Sequence, residues 1–117
     1  MATANVQIKF TLSAEDFEDI LDTAGYVVGH WANNASIEFV DENSEEIIYR
    51  VSDSDSGKEF TLNRSDIENA ICKLIEKRNC LTDLLIQAVT QDDYSEVDTM
   101  VADKIIQFAC FKEIIYA

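Results

Sequence analysis

Within the first quarter of the chain, the spacing of the apolar residues changes from every second residue to the spacing of a helix. Four apolar residues alternate with polar ones, which predicts a strand with one solvent-facing side: Val6, Ile8, Phe10 and Leu12. Ser13 followed by Asp16 is a helix-capping signature. Apolar residues then recur at helical spacing, at Phe17, Ile20, Leu21 and Ala24. The pattern stops at Gly25, so the sequence predicts a strand followed by a helix over about residues 14–24.

The middle of the chain contains two short alternating stretches and a loop with a glycine. The first stretch begins at residue 37 and the second covers residues 47–51, with apolar side chains at Ile37, Phe39, Ile47, Tyr49 and Val51. A small polar loop over residues 52–57 then returns the chain into Phe60 and Leu62. Two strands joined by such a loop are typical of a β-hairpin.

Helical spacing dominates the C-terminal half. Ser65 and Glu68 form a predicted capping box for a second helix, whose apolar stripe is Ile67, Ala70, Ile71, Leu74 and Ile75. A short third helix is predicted from Leu81, Leu84, Leu85 and Val89. The fourth, over about residues 97–110, is apolar most of the way round and should be buried. The tail over residues 111–116 is a candidate closing strand.

Together these elements predict an α+β fold, a small antiparallel sheet packed on one face by three to four short helices. The sheet would contain the N-terminal strand and the strands between about Ile37 and Leu62. A length of 117 residues favours a single domain over residues 1–117. An apolar content of 47% is enough to fill its core, which argues against a disordered chain.

Charge adds information that the apolar pattern lacks. Twenty-three Asp and Glu against nine Lys and Arg give a net charge of −14, of which −10 lies in residues 1–60 and −4 in residues 61–117. Phosphate contacts need clustered cations, so we expect no direct nucleic-acid binding and favour a basic partner. No apolar run is long enough to span a bilayer, and the start has no export leader. We therefore expect a cytoplasmic protein without a membrane partner.

Candidate cofactor and catalytic motifs are incomplete. The three cysteines match no zinc-ligand spacing. The run at residues 53–57 begins like a calcium loop, but its Gly comes one residue early and Arg64 stands where a bidentate Glu is needed. His30 is the single histidine, and no triad can be read around it. The sequence predicts no metal, no cofactor and no enzymatic activity.

The first helix carries four carboxylates on one face, at spacing i, i+3, i+4 and i+7: Glu15, Glu18, Asp19 and Asp22. Like-charge pairs four residues apart cost about 0.2–0.5 kcal/mol each, and solubility does not require them. Two interpretations stay open, a solvated helix face and a row of charges that imitates phosphates on a partner's basic groove. The row would be longer if the sheet brought further acids to the same side, namely Asp41, Glu42, Glu45, Glu46, Asp53, Asp55 and Glu59.

Trp31, in the segment Gly29-His30-Trp31, is the remaining candidate contact residue. Tryptophan is enriched at interface hot spots, and it also anchors small cores. The core interpretation is favoured, and Trp31 is kept as a candidate partner-binding residue.

Three stretches carry a resemblance that spans most of the chain. They are DTAGY at 22–26 followed by GHWA at 29–32, YRVSD at 49–53 with Gly57 and FTL at 60–62, and ADKIIQFACFKEIIY at 102–116. These segments resemble a family of small uncharacterised proteins carried by bacteriophages, many of them phages of actinobacteria. In that family a Tyr commonly stands at the position of His30, and a Gly at that of Lys112. The resemblance implies a phage accessory protein that acts inside a bacterial cell.

Charge placement and the resemblance together favour a non-enzymatic phage inhibitor of the anti-CRISPR or anti-restriction type. It would occupy the nucleic-acid-binding surface of a basic host protein or protein complex. The alternative is a structural or assembly accessory, a homo-oligomer joined through an apolar surface around Trp31, Phe111, Ile114 and Tyr116. A third class, a small enzyme or nucleotide-binding protein, would need a deep pocket lined by Arg, Trp or Tyr.

Overall fold

The computed structural model describes residues 10–43, 45–77 and 81–116. Its helices are α1 (Ala14–Ala24), α2 (Arg64–Glu76), α3 (Thr82–Gln91) and α4 (Thr99–Phe111). Its strands are β1 (Ala32–Phe39), β2 (Ile47–Asp53) and β3 (Glu59–Leu62). A single turn of 3-10 helix, Val28–His30, connects α1 to β1.

The three strands form one antiparallel sheet in the order β1-β2-β3. Tyr49 of β2 lies opposite Ile37 of β1 and Leu62 of β3. Buried side chains alternate with half-buried ones along β2, so one face of the sheet meets the helices and the other meets solvent. The predicted α+β fold is confirmed, and so is the hairpin, in which β2 and β3 are joined by a loop with Gly57 at a φ of 72°.

Helix α4 is the centre of the core. It packs against α1, α2 and β3, and Ile105 and Ile106 are fully buried. The prediction of a buried fourth helix is confirmed. Unlike the other helices, α4 also buries two polar residues, Asp103 and Gln107, which lie one helical turn apart.

The capping box of helix α2 lies two residues earlier than predicted. Asn63 and Asp66 cap it reciprocally, because each side chain accepts a hydrogen bond from the other's backbone N–H, at 2.9 and 2.8 Å. The prediction that Ser65 and Glu68 form the box is wrong. The Glu68 carboxylate instead accepts the backbone N–H of Leu12 at 2.7 Å, which ties the chain before α1 to α2.

The two ends of the chain differ from the expected strands. Of the predicted N-terminal strand, Val6 and Ile8 lie outside the described residues, and Phe10 to Leu12 do not form a strand. The C-terminal tail is not a strand either, so that prediction is wrong. Lys112 adopts a left-handed conformation with a φ of 62° and ends α4, and the chain then folds back toward Gln107.

Strand β1 begins at Ala32, five residues before the predicted start at Ile37. In its first half Asn33, Asn34 and Ala35 are exposed, so the strand lacks apolar alternation there and its start could not be predicted from the apolar pattern. A register shift between Ala32 and Asn34 marks a bulge at that end.

Candidate functional site

The acidic face of α1 is set by the cap and the apolar stripe of that helix. Ser13 caps the helix by accepting the backbone N–H of Asp16 at 3.0 Å, as predicted. The residues Phe17, Ile20 and Leu21 are buried, so the opposite face points to solvent. That face carries Glu15, Glu18, Asp19 and Asp22, which are all exposed. Within the described parts of the chain, no Lys, Arg or His nitrogen lies within 4 Å of their carboxylates.

A groove of about 530 Å³ runs along one side of this face and joins it to the segment before α4. Asp19 and Asp22 line it from α1, and Asp92 and Asp93 line it from the other side. Its other lining residues are Asp16, Ile20, Thr23, Tyr26, Tyr94, Ser95 and Val97. The groove therefore carries five aspartates from two distant parts of the sequence. We call the acidic face of α1 together with Asp92 and Asp93 the acidic surface.

Local hydrogen bonds and burial fix the second wall of the groove. Asp92 ends α3 in a left-handed conformation with a φ of 51°. Hydrogen bonds from Ser95, first from its backbone N–H at 3.0 Å, hold the pKa of Asp93 below its usual value, which favours the charged form. Burial raises the pKa of the Tyr94 hydroxyl to about 12, with further contributions from the nearby acids.

Tyr26 is the most exposed aromatic residue in this region. Its side chain is 83% exposed and lines the groove just after α1 ends. Tyrosine is enriched at the hot spots of protein interfaces, because its ring offers a large contact area at low entropic cost. Sequence reasoning did not single out Tyr26, Asp92 or Asp93. The last two were visible only as a polar break between helices.

Two of the four acids of the β1–β2 turn, Glu45 and Glu46, lie near the start of α1. Asp41, Glu42, Glu45 and Glu46 are exposed. Glu45 and Glu46 line a hollow of about 240 Å³ together with Ala14 at the start of α1, and Arg64 lines it too. The Arg64 guanidinium lies 3.8 Å from the Glu46 carboxylate, so a cation interrupts the negative charge there. Asp41 and Glu42 line neither of these two hollows.

None of the hairpin acids Asp53, Asp55 and Glu59 lines the groove, and the exposed Asp55 accepts from the Tyr116 hydroxyl at 3.3 Å. Asp53 is buried, and its carboxylate accepts hydrogen bonds from the hydroxyls of Tyr116 and Ser56, both at 2.8 Å. Glu59 binds Arg50 at 2.9 Å on the solvent face of the sheet. These carboxylates are already engaged within the fold.

Trp31 is part of the core. It is 2% exposed, which contradicts a partner-binding role at the surface. Its indole N–H donates to the Asp103 carboxylate at 2.7 Å. The same carboxylate accepts from Gln107 Nε2 at 2.8 Å and lies 3.2 Å from His30 Nε2. A carboxylate only accepts, so Nε2 is the protonated nitrogen of His30 in this pair.

The C-terminal tail closes over this buried carboxylate. The side-chain oxygen of Gln107 accepts the backbone N–H groups of Ile115 and Tyr116, at 3.0 and 2.8 Å. The Tyr116 ring stacks on Trp31 with an interplanar angle of 6°. Its hydroxyl donates to Asp53, which raises the pKa of Tyr116 to about 12 and lowers that of Asp53. We call Trp31, Asp103, Gln107 and Tyr116 the tail clasp.

Asp103 of the tail clasp lies beside His30, and an acid–histidine pair of this kind also occurs in catalytic sites. Within the described ranges, no Ser, Thr or Cys side chain hydrogen-bonds to His30. Burial raises the pKa of the Cys110 thiol to about 12, which disfavours the reactive thiolate. Among the described residues, no three His, Cys, Asp or Glu side chains form a group that could hold a metal ion. The hydrogen bonds of the tail clasp hold the C-terminal tail against α4 and orient the Trp31 ring.

No family model, no curated protein and no solved structure matches this chain. Among the described residues, none of the helices has the length and apolar character needed to cross a membrane.

Proposed function

We propose that this protein is a non-enzymatic inhibitor that binds the basic, nucleic-acid-binding surface of a bacterial defence complex, of the CRISPR or restriction type. The observation that carries the proposal is the acidic surface, on which exposed carboxylates lie on both sides of one groove and have no cation partner in the part of the chain that the structure describes. The resemblance to bacteriophage proteins supports a setting inside a bacterial cell.

The spacing of the charges supports phosphate imitation. Glu15 and Asp22 are seven residues apart, which is an axial rise of about 10.5 Å in an α-helix. Four carboxylates over that length give one charge per about 3.5 Å, close to the about 3.4 Å per phosphate along one strand of duplex DNA. Lysine and arginine side chains that track a DNA strand would therefore meet a similar charge density on this helix.

The exposed Tyr26 supports a protein partner. Charges alone give steering and salt-sensitive attraction, whereas an aromatic side chain at the rim adds apolar contact area and slows dissociation. Asp92 and Asp93 widen the charged area beyond a single helix face. The turn acids Asp41, Glu42 and Glu45 are proposed as peripheral contacts, because they are exposed and lie outside the groove.

A matched pair of variants tests the proposal. The first neutralises the helix face with Glu15→Gln, Glu18→Gln, Asp19→Asn and Asp22→Asn. The second variant removes the same number of negative charges from four other acids, with Glu59→Gln, Glu76→Gln, Asp83→Asn and Glu113→Gln. The native chain has a net charge of −14, and each variant loses four negative charges, so both variants have a net charge of −10.

The assay is inhibition of DNA cleavage by purified host restriction and CRISPR complexes, with binding measured by competition against a labelled DNA duplex. We expect the helix-face variant to lose inhibition and the control variant to keep it. Binding of the native protein should weaken by about tenfold or more between about 50 and 200 mM salt. Full inhibition by the helix-face variant, or equal loss in both variants, would contradict the proposal.

A further inference from the structure

Strand β1 is an edge of the sheet, and its outward peptide groups can be identified from the register. The backbone N–H of Val40 donates to the Glu46 carbonyl at 2.9 Å, which continues the pairing of Phe39 with Ile47. In an antiparallel pair, alternate residues bond to the neighbour. Ser36 and Glu38 therefore bond to β2, as Val40 does. The N–H and C=O groups of Ala35, Ile37 and Phe39 point away from it, and no described strand pairs with them.

The side chains of this outward-bonding set are apolar and poorly covered. They lie on the same face of the sheet as Ile47, Tyr49 and Val51, which are buried. Even so, Phe39 is 69% exposed, Ala35 is exposed and Ile37 is only half-buried. The edge thus extends beyond the helices that cover the rest of the sheet.

This edge is close to neutral on a strongly acidic chain. Glu38 is the one charged residue between Ala32 and Val40, and its carboxylate binds Arg50 at 2.9 Å. Natural proteins protect exposed edges with lysine, proline, inward charges or bulges. None of these interrupts residues 35–39, because the bulge of β1 lies at its start, between Ala32 and Asn34. The charge at this edge favours a neutral partner strand over a basic one.

We propose that β1 pairs with β1 of a second copy of this chain, antiparallel about a two-fold axis at Ile37. In this register Ile37 lies opposite Ile37 of the second copy. Phe39 lies opposite Ala35 of the second copy, so a large side chain covers a small one at both ends. The outward peptide groups of the three residues become paired, and the two sheets join into one of six strands. This surface is separate from the acidic surface, and the inference does not rest on the proposed function.

Sedimentation equilibrium of the full chain, over a range of protein and salt concentrations, measures the association. We expect a dimer that tightens as salt rises, because two chains of net charge −14 repel each other less when screened. This salt dependence is opposite to that expected for binding a basic partner, so the two proposals fail in distinguishable ways.

Two variants place a charge in the proposed seam, Phe39→Lys and Ala35→Lys. Both change exposed side chains, and each should weaken the dimer at least tenfold. The matched control is Met100→Lys, because Met100 is 63% exposed on α4 and the change in charge and apolar area is of the same kind. We expect the control to dimerise like the native protein.

Two results would overturn the proposal. The first is a full chain that stays monomeric at high protein and salt concentration. The edge would then be covered by the chain's own N-terminal segment or by another protein, and not by a second copy. The second is a dimer that persists unchanged in both seam variants, which would place the contact on another surface.

Discussion

The acidic surface and the tail clasp use the same functional group in opposite ways. Asp103 is 5% exposed and satisfies the Trp31 indole and the Gln107 amide, with His30 beside it. The carboxylates on α1 are exposed and have no cation partner among the described residues. The fold explains why a carboxylate stands at position 103. It does not explain the acids of α1, whose mutual repulsion is a small cost to the folded state. This is why we propose a binding role for them.

The largest expected effect is the loss of Asp103. Asp103→Ala leaves the buried indole N–H of Trp31 without its acceptor and removes one of the two hydrogen bonds that the Gln107 amide donates, so we expect a loss of about 3 kcal/mol in the free energy of unfolding. Urea denaturation followed by the fluorescence of the single tryptophan measures it. The matched control is Asp19→Ala on α1, which should change the free energy of unfolding by less than about 0.5 kcal/mol. If Asp103→Ala lowered the free energy of unfolding by less than about 1 kcal/mol, Asp103 would not differ from the acids of α1 in its contribution to the fold.

A smaller loss of stability is expected when the hydroxyl of Tyr116 is removed. Tyr49 provides the comparison, because its hydroxyl has a different environment. The Tyr116 hydroxyl donates to Asp53, whereas the buried Tyr49 hydroxyl makes no hydrogen bond with any described residue. Tyr116→Phe should destabilise the protein, by less than Asp103→Ala does. Tyr49→Phe is the control, and we expect stability within about 0.5 kcal/mol of the native protein or above it.

The effect of Tyr116→Phe should depend on pH with a defined sign. The Tyr116 hydroxyl lowers the pKa of Asp53 in the folded state. A lowered carboxyl pKa stabilises the fold above the ordinary value of about 3.9 and ceases to do so as the pH falls through the folded pKa. The stability difference between native protein and Tyr116→Phe should therefore narrow below about pH 4. A difference that widens on acidification would contradict this account of Asp53.

Local elements of the fold could be predicted from the sequence, because their signals lie within a few residues of each other. The Ser13 cap and stripe of α1 and the hairpin with Gly57 are of this kind. The start of α2 was misplaced because two overlapping segments both match a capping box. Asn63 follows β3 directly and caps the helix, while Glu68 is drawn to the backbone of Leu12.

The site could be predicted only in part. The face of α1 follows from helical spacing alone, but its junction with Asp92 and Asp93 depends on how α1 and the end of α3 pack, which no local pattern encodes. Asp103 and Gln107 did leave a signal, two polar residues four apart in a helix that is otherwise apolar. Two polar residues at this spacing in an apolar helix indicate a buried polar network. The single tryptophan of the sequence, Trp31, has an indole N–H that can donate to such a network.

The smallest expected effect tests whether the acids of α1 serve the fold after all. Asp22 lies in the last turn of α1, where the helix dipole disfavours an anion and no basic residue compensates, and Glu18 lies one turn before it. Asp22→Asn should therefore raise the free energy of unfolding by about 0.3–0.5 kcal/mol at low salt, with a smaller gain at high salt.

The matched control for this change is Asp16→Asn. Asp16 lies in the first turn of the same helix, where the dipole favours an anion, so removing its charge should lower stability by a similar amount. Urea denaturation at two salt concentrations measures both variants. If Asp22→Asn were destabilising, the native carboxylate would be stabilising the fold, and its position would no longer require a partner to explain it.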